Sequence, residues 1–173
     1  VAPGAVFKAD GCGAKLVVEG TLTAAGTAGA PVVFTSIHDD AIAGDSNGNG
    51  GATLPAPADW GYVRLAAGAS GFLAHTTLRY GGVACTGYDN YSMLQAWSAD
   101  LTLADTTLES SFGNGLFAEN ARVAVDRCRF LGNGQFGGSA GLNVNGLDPN
   151  HPFVVRDSEF ATRSPLQTAG RIS

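Results

Sequence analysis

The chain has 173 residues, a formal net charge of −5 and a pI near 4.9. Charged residues make up 14% of it, against a usual share of about 25%, while 45% hydrophobic content is enough for a packed core. Only Lys8 and Lys15 are lysines, and the arginines are scattered among acids, so no basic stripe is offered to nucleic acid; no apolar run reaches about 18 residues, so no membrane span is expected.

The length is read as one domain, 1–173. The opening residues carry no basic-then-apolar leader and enter a strand pattern at once, so a removed leader or a longer parent is expected. In chain order, strand-like segments occur at 3–8, 16–26 and 31–36. An acid- and glycine-rich insertion follows at 36–59. Beyond it, helical spacing of apolar residues is nearly absent, and short alternating segments bounded by Gly, Asn, Asp or Pro dominate.

Four of these segments share one hexamer, beginning at Leu73, Leu103, Val125 and Val155, with spacings of 30, 22 and 30 residues. Position one is Leu or Val, position four is Thr, Cys or Ser, and position six is Leu or Phe. Positions two, three and five accept charge. A second register precedes each hexamer, at 60–65, 92–97, 115–118 and 141–144, and Gly-Asn-Gly turns fall at 113–115 and 132–134. A unit of about 22 residues with tolerated insertions implies a solenoid, because one unit cannot bury its own apolar row and stacked units can. Identical inward positions should then pile into ladders: Leu78, Leu108, Phe130 and Phe160 in one, Thr76, Thr106, Cys128 and Ser158 in another. A leucine-rich repeat lacks its frame here, and a β-sandwich has no reason to repeat one hexamer four times.

Position three, occupied by His75, Asp105, Arg127 and Asp157, falls where the chain bends and is read as a polar ladder between coils. Cys128 takes a small buried position. Cys12 and Cys85 lie in glycine-flanked loops, and a disulfide between them is open if the chain is exported.

The run at 125–134 followed by Gly-Leu-Asn-Val, with the segments at 3–8, 16–26 and 31–36 and the pair Trp60-Gly61, resembles the right-handed parallel β-helix repeat of secreted bacterial surface and polysaccharide-associated proteins. The resemblance implies an all-β right-handed parallel β-helix of about six to seven coils. It implies an exported bacterial domain, secreted or at the cell surface, serving as a rigid scaffold with polysaccharide as an expected ligand. The alternative is a module of a polysaccharide lyase or glycoside hydrolase, and a third reading is an adhesin stalk. Gly170 to Ser173 match the second register, so further coils, a cap or an oligomer contact are expected at that end.

Two groups of candidate site residues follow. In the insertion, Asp45, Asn47 and Asn49 with Gly50 match the first half of a calcium-loop pattern, and Asp39, Asp40 or Asp59 would supply the missing carboxylate; the ion would be structural calcium. The competing reading is an Asx-rich turn that satisfies its own backbone. On the outward positions of the second register, Tyr62, Arg64, Gln95, Trp97, Phe117, Asn143 and Asn145 offer flat apolar faces and planar hydrogen-bonding groups suited to sugar rings. Met93, Glu119 and Arg171 share that row. It holds one carboxylate, whereas acid–base glycoside cleavage needs two, so no catalytic residue is assigned. Position five reads Thr77, Thr107, Arg129, Glu159, which is too charged for an ice-binding threonine array.

Overall fold

The computed structural model describes residues 1–85, 90–146 and 152–162 and the backbone of 166–169. All of its regular structure is β, in three parallel sheets. The first contains β1 (Val6–Ala9), β4 (Val32–Ser36), β7 (Thr76–Arg79), β10 (Thr107–Glu109), β13 (Arg129–Leu131) and β16 (Glu159–Ala161). The second contains β2 (Leu16–Val18), β5 (Val63–Leu65), β8 (Ser92–Trp97), β11 (Asn114–Glu119), β14 (Leu142–Asn145) and β17 (Leu166–Ala169). The third contains β3 (Thr21–Ala25), β6 (Ser70–Ala74), β9 (Asp100–Ala104), β12 (Arg122–Asp126) and β15 (Phe153–Arg156). Each strand pairs with the strand three places on, so the chain is one ribbon wound as a parallel β-helix with six strands in its two longest sheets.

The expected ladders are present. Leu78 pairs with Leu108, Leu108 with Phe130 and Phe130 with Phe160. The column extends through Phe34 to Phe7. Its end rings stack, Phe7 on Phe34 at 4.8 Å and Phe130 on Phe160 at 4.7 Å, the spacing of neighbouring strands. A second file runs Ala24, Leu73, Leu103 and Val125, all buried, and ends at the exposed Val155.

Each hexamer straddles a corner between the third and first sheets. Its third residue turns the chain in the left-handed region: His75 (φ 44°), Asp105 (φ 48°), Arg127 (φ 50°) and Asp157 (φ 47°). A left-handed residue breaks strand alternation and lets positions one and four both face inward. The fourth side chain then caps the carbonyl two residues back, Thr76 to Ala74 at 3.1 Å, Thr106 to Ala104 at 2.9 Å, Cys128 to Asp126 at 3.2 Å and Ser158 to Arg156 at 2.7 Å. Thr76 and Thr106 also reach the preceding coil, at Ala24 O and Leu73 O. Cys128 is buried, which pushes its thiol pKa up. The other corners use the same device, at Tyr80, Ser110 and Gly132 and at Ser98, Asn120 and Gly146. Along the bend, Arg127 donates two hydrogen bonds to Asp105, at 2.8 and 2.9 Å.

The Gly-Asn-Gly turns carry their amides inward. Asn133 accepts from Ser111 N at 3.0 Å and donates to Leu108 O at 2.7 Å. Asn114 donates to Ser92 Oγ and accepts from Ala140 N. Gly113 is required by a close approach, since a Cβ there would lie 1.8 Å from Tyr91 O. Cys12 and Cys85 pair, with Cα atoms 5.1 Å apart. The second register recurs earlier than the expected 170–173, in β17, where Leu166 pairs with Leu142 and Gln167 with Asn143, so the outward position of that coil falls at Gln167 rather than Arg171; residues 170–173 lie outside the described residues.

Candidate functional site

The outer face of the second sheet is built from one in-register file: Val17, Arg64, Gln95, Phe117, Asn143. Two positions along, Trp97, Glu119 and Asn145 form a parallel file. Stacked coils therefore bring all seven expected carbohydrate residues onto or beside one surface. They are not equally accessible. Tyr62 is 1% exposed, Gln95 0% and Phe117 2%, so the expectation of an open row of rings and amides is corrected at these three; Met93 also joins the core. Arg64, Trp97, Asn143 and Asn145 are partly exposed.

The buried members hold the accessible ones in place. The Arg64 guanidinium lies over the Tyr62 ring at 4.4 Å and 5.7 Å from the Trp97 ring. Lys15 covers the same tyrosine at 5.6 Å. Gln95 Oε1 accepts from Arg64 Nε at 2.8 Å and from Trp97 Nε1 at 3.2 Å, while its amide donates to Asn90 O and Ser92 O. Trp97 packs on Phe117 at 5.1 Å. A guanidinium lying over two aromatic rings and an indole N–H are thus held by one buried amide, a preorganised polar and aromatic strip.

In the insertion, the side-chain oxygens are turned onto the loop's own backbone and neighbouring side chains. Asp45 accepts backbone N–H groups from Gly48, Asn49 and Gly50. The Gly50 amide leads the contacts that hold this exposed carboxyl below the usual carboxylate range. Asn49 accepts from Gly51 and Ala52, and Asn47 from Asn49. Asp39 is buried and receives Arg79 and Thr35. Asp59 accepts from Ser36 Oγ at 2.6 Å and Ala56 N at 2.9 Å and lies 3.4 Å from His38 Nδ1. Among the described residues, Asp40 alone keeps a buried side-chain oxygen, Oδ1, without a hydrogen-bond partner. Calcium takes six to eight oxygens, and among the described residues no group of three or more His, Cys, Asp or Glu converges. The oxygens cap the loop's own amides, the arrangement of an Asx turn.

One network escaped the sequence reading. Arg79 stands between Asp39 on the insertion and Glu109 on the next coil, and Trp60 donates to Arg79 O at 2.8 Å. Burial opposes the Arg79 charge, but the Asp39 hydrogen bond and charge outweigh it and raise the guanidinium pKa. The signal was present: Arg79 and Glu109 are the residues that follow position six in adjacent hexamers. This network clamps the insertion to the solenoid. Comparison with family models, curated proteins and solved structures finds no match to this chain.

Proposed function

We propose that this chain is an exported, rigid β-helical scaffold that binds polysaccharide along the outer face of its second sheet. The observation that carries the reading is the fixed pair Arg64 and Trp97, locked by Gln95 beside Asn143 and Asn145. Sugar rings offer an apolar face and a rim of hydroxyls, which an indole flanked by a guanidinium and planar amides matches. Tyr62, Gln95 and Phe117 are the supports, and Arg64, Trp97, Asn143 and Asn145 the contacts. The Cys12–Cys85 disulfide supports export, because such bonds persist in oxidising compartments.

Retention on a panel of immobilised neutral and acidic polysaccharides tests this. The intact chain should be retarded on at least one, and Trp97→Ala should weaken that retention about tenfold, the loss of one well-placed aromatic contact. Retention of none, or retention unchanged in Trp97→Ala, would overturn the reading. Shortened glycan products would replace it with the lyase or hydrolase alternative.

A further inference from the structure

The outer face of the second sheet carries a carboxylate that the contacts named above leave out. Trp97, Glu119 and Asn145 occupy one in-register file on three successive coils, each step about 4.8 Å. Glu119 therefore stands between two of the proposed contacts, and a ligand that touches Trp97 and Asn145 together has to pass over it. All three side chains are partly exposed. The glutamates of the first sheet, Glu109 and Glu159, are each bonded to an arginine. Among the described residues, the Glu119 carboxylate takes no hydrogen bond and no ion pair. The file itself holds no cation. Arg64 lies in the neighbouring file two coils away, where its guanidinium donates to Gln95 and covers Tyr62.

We propose that Glu119 sets the specificity of this face, selecting a polysaccharide whose units are uncharged where they cross the Trp97–Asn145 file. The inference rests on the polysaccharide reading above and names the class of glycan. An ionised carboxylate is an acceptor with two oxygens and no donor. A neutral sugar presents hydroxyl donors, and a vicinal pair can donate to both oxygens in charge-assisted hydrogen bonds. A uronate unit at the same place presents a second carboxylate, so two like charges meet with no donor between them. Arg64 does not cancel the repulsion, because at two coils, about 10 Å, an exposed charge is largely screened in physiological salt. The same side chain thus rewards one class of sugar and rejects the other.

Retention of the intact chain on immobilised glucan, mannan and xylan and on a polyuronate, which is charged at every unit, tests this. The chain should be retarded more on at least one neutral polysaccharide than on the polyuronate. Glu119→Gln keeps the shape of the side chain, and its fold is checked by circular dichroism. It should weaken the neutral retention severalfold and raise the polyuronate retention about tenfold. Glu119→Lys should reverse the preference. A polyuronate held as strongly as any neutral glycan by the intact chain would overturn the proposal. So would a preference unchanged in both folded variants. If Trp97→Ala still weakens retention in either case, the polysaccharide reading stands and only the role of Glu119 falls. Retention on none of the four removes both.

Discussion

At the scale of single residues, Arg79 joins the insertion to the solenoid. Its partner Asp39 is 1% exposed, and removing the guanidinium leaves a buried carboxylate with only the Thr35 hydroxyl. Arg79→Met should cost about 3–5 kcal/mol in chemical denaturation, and adding Asp39→Asn should recover part of it. An Arg79→Met chain as stable as the parent would show that the insertion is not held by this pair. Asp45 and Asp105 make a second, gentler case. Both carboxyls sit below their ordinary value of 3.8, Asp45 chiefly through the Gly50 amide and Asp105 chiefly through the Arg127 hydrogen bond. A carboxyl depressed in the folded state stabilises it above the unfolded value, and that contribution fades as pH falls through the ordinary carboxylate range. The melting midpoint should therefore drop on acidification below about pH 4, and by less in Asp45→Asn than in the parent. Chelator should leave the neutral-pH midpoint unchanged; a midpoint lowered by chelation would assign the loop to a cation after all.

At the scale of elements, the corner explains both what the hexamer reveals and what it hides. The in–out pattern of positions one, four and six was readable because stacked coils demand the same side chain at the same place. The bend at position three was readable because charge recurred there. The accessibility of the second sheet's outer face was not. Alternation tells which way a side chain points, and says nothing of whether its neighbours close over it. Gln95 points outward and is fully buried, held by Arg64, Trp97 and the Asn90 carbonyl. The warning was the run Ser-Met-Leu-Gln-Ala-Trp of β8, which carries no charge on either face. The left-handed corners yield a matched pair of tests. A Cβ on Gly132 would meet open space, so Gly132→Ala should cost about 1–2 kcal/mol from backbone conformation alone. Its column neighbour Ser110 sits at φ 55°, and Ser110→Gly should be near neutral, because relieved strain offsets the entropy of a freer unfolded chain. Equal costs at the two sites in thermal melts would contradict this account. Thr106→Val should cost about 1–2 kcal/mol, since Ala104 O and Leu73 O both lose a buried donor.

At the scale of the whole molecule, stability is a sum over neighbouring coils, and a coil near an end has one neighbour fewer. The N-terminal coils are also interrupted by the insertion, which separates β4 from β5. The Cys12–Cys85 bond answers both weaknesses by tying the loop before β2 to the chain two coils on, across a separation of 73 residues. Closing a loop of that length in the unfolded chain corresponds to about 4 kcal/mol in the chain-entropy account. Paired Cys12→Ser and Cys85→Ser changes should therefore lower stability by about that amount, unevenly along the solenoid. Hydrogen exchange should quicken in β1 to β3, whose remaining contacts are few, while β9 to β13, stacked on both sides and independent of the bond, keep their protection. The distribution decides the matter: equal loss of protection in all coils would mean that the chain unfolds as one unit, and that the disulfide acts on the whole solenoid rather than on its mouth.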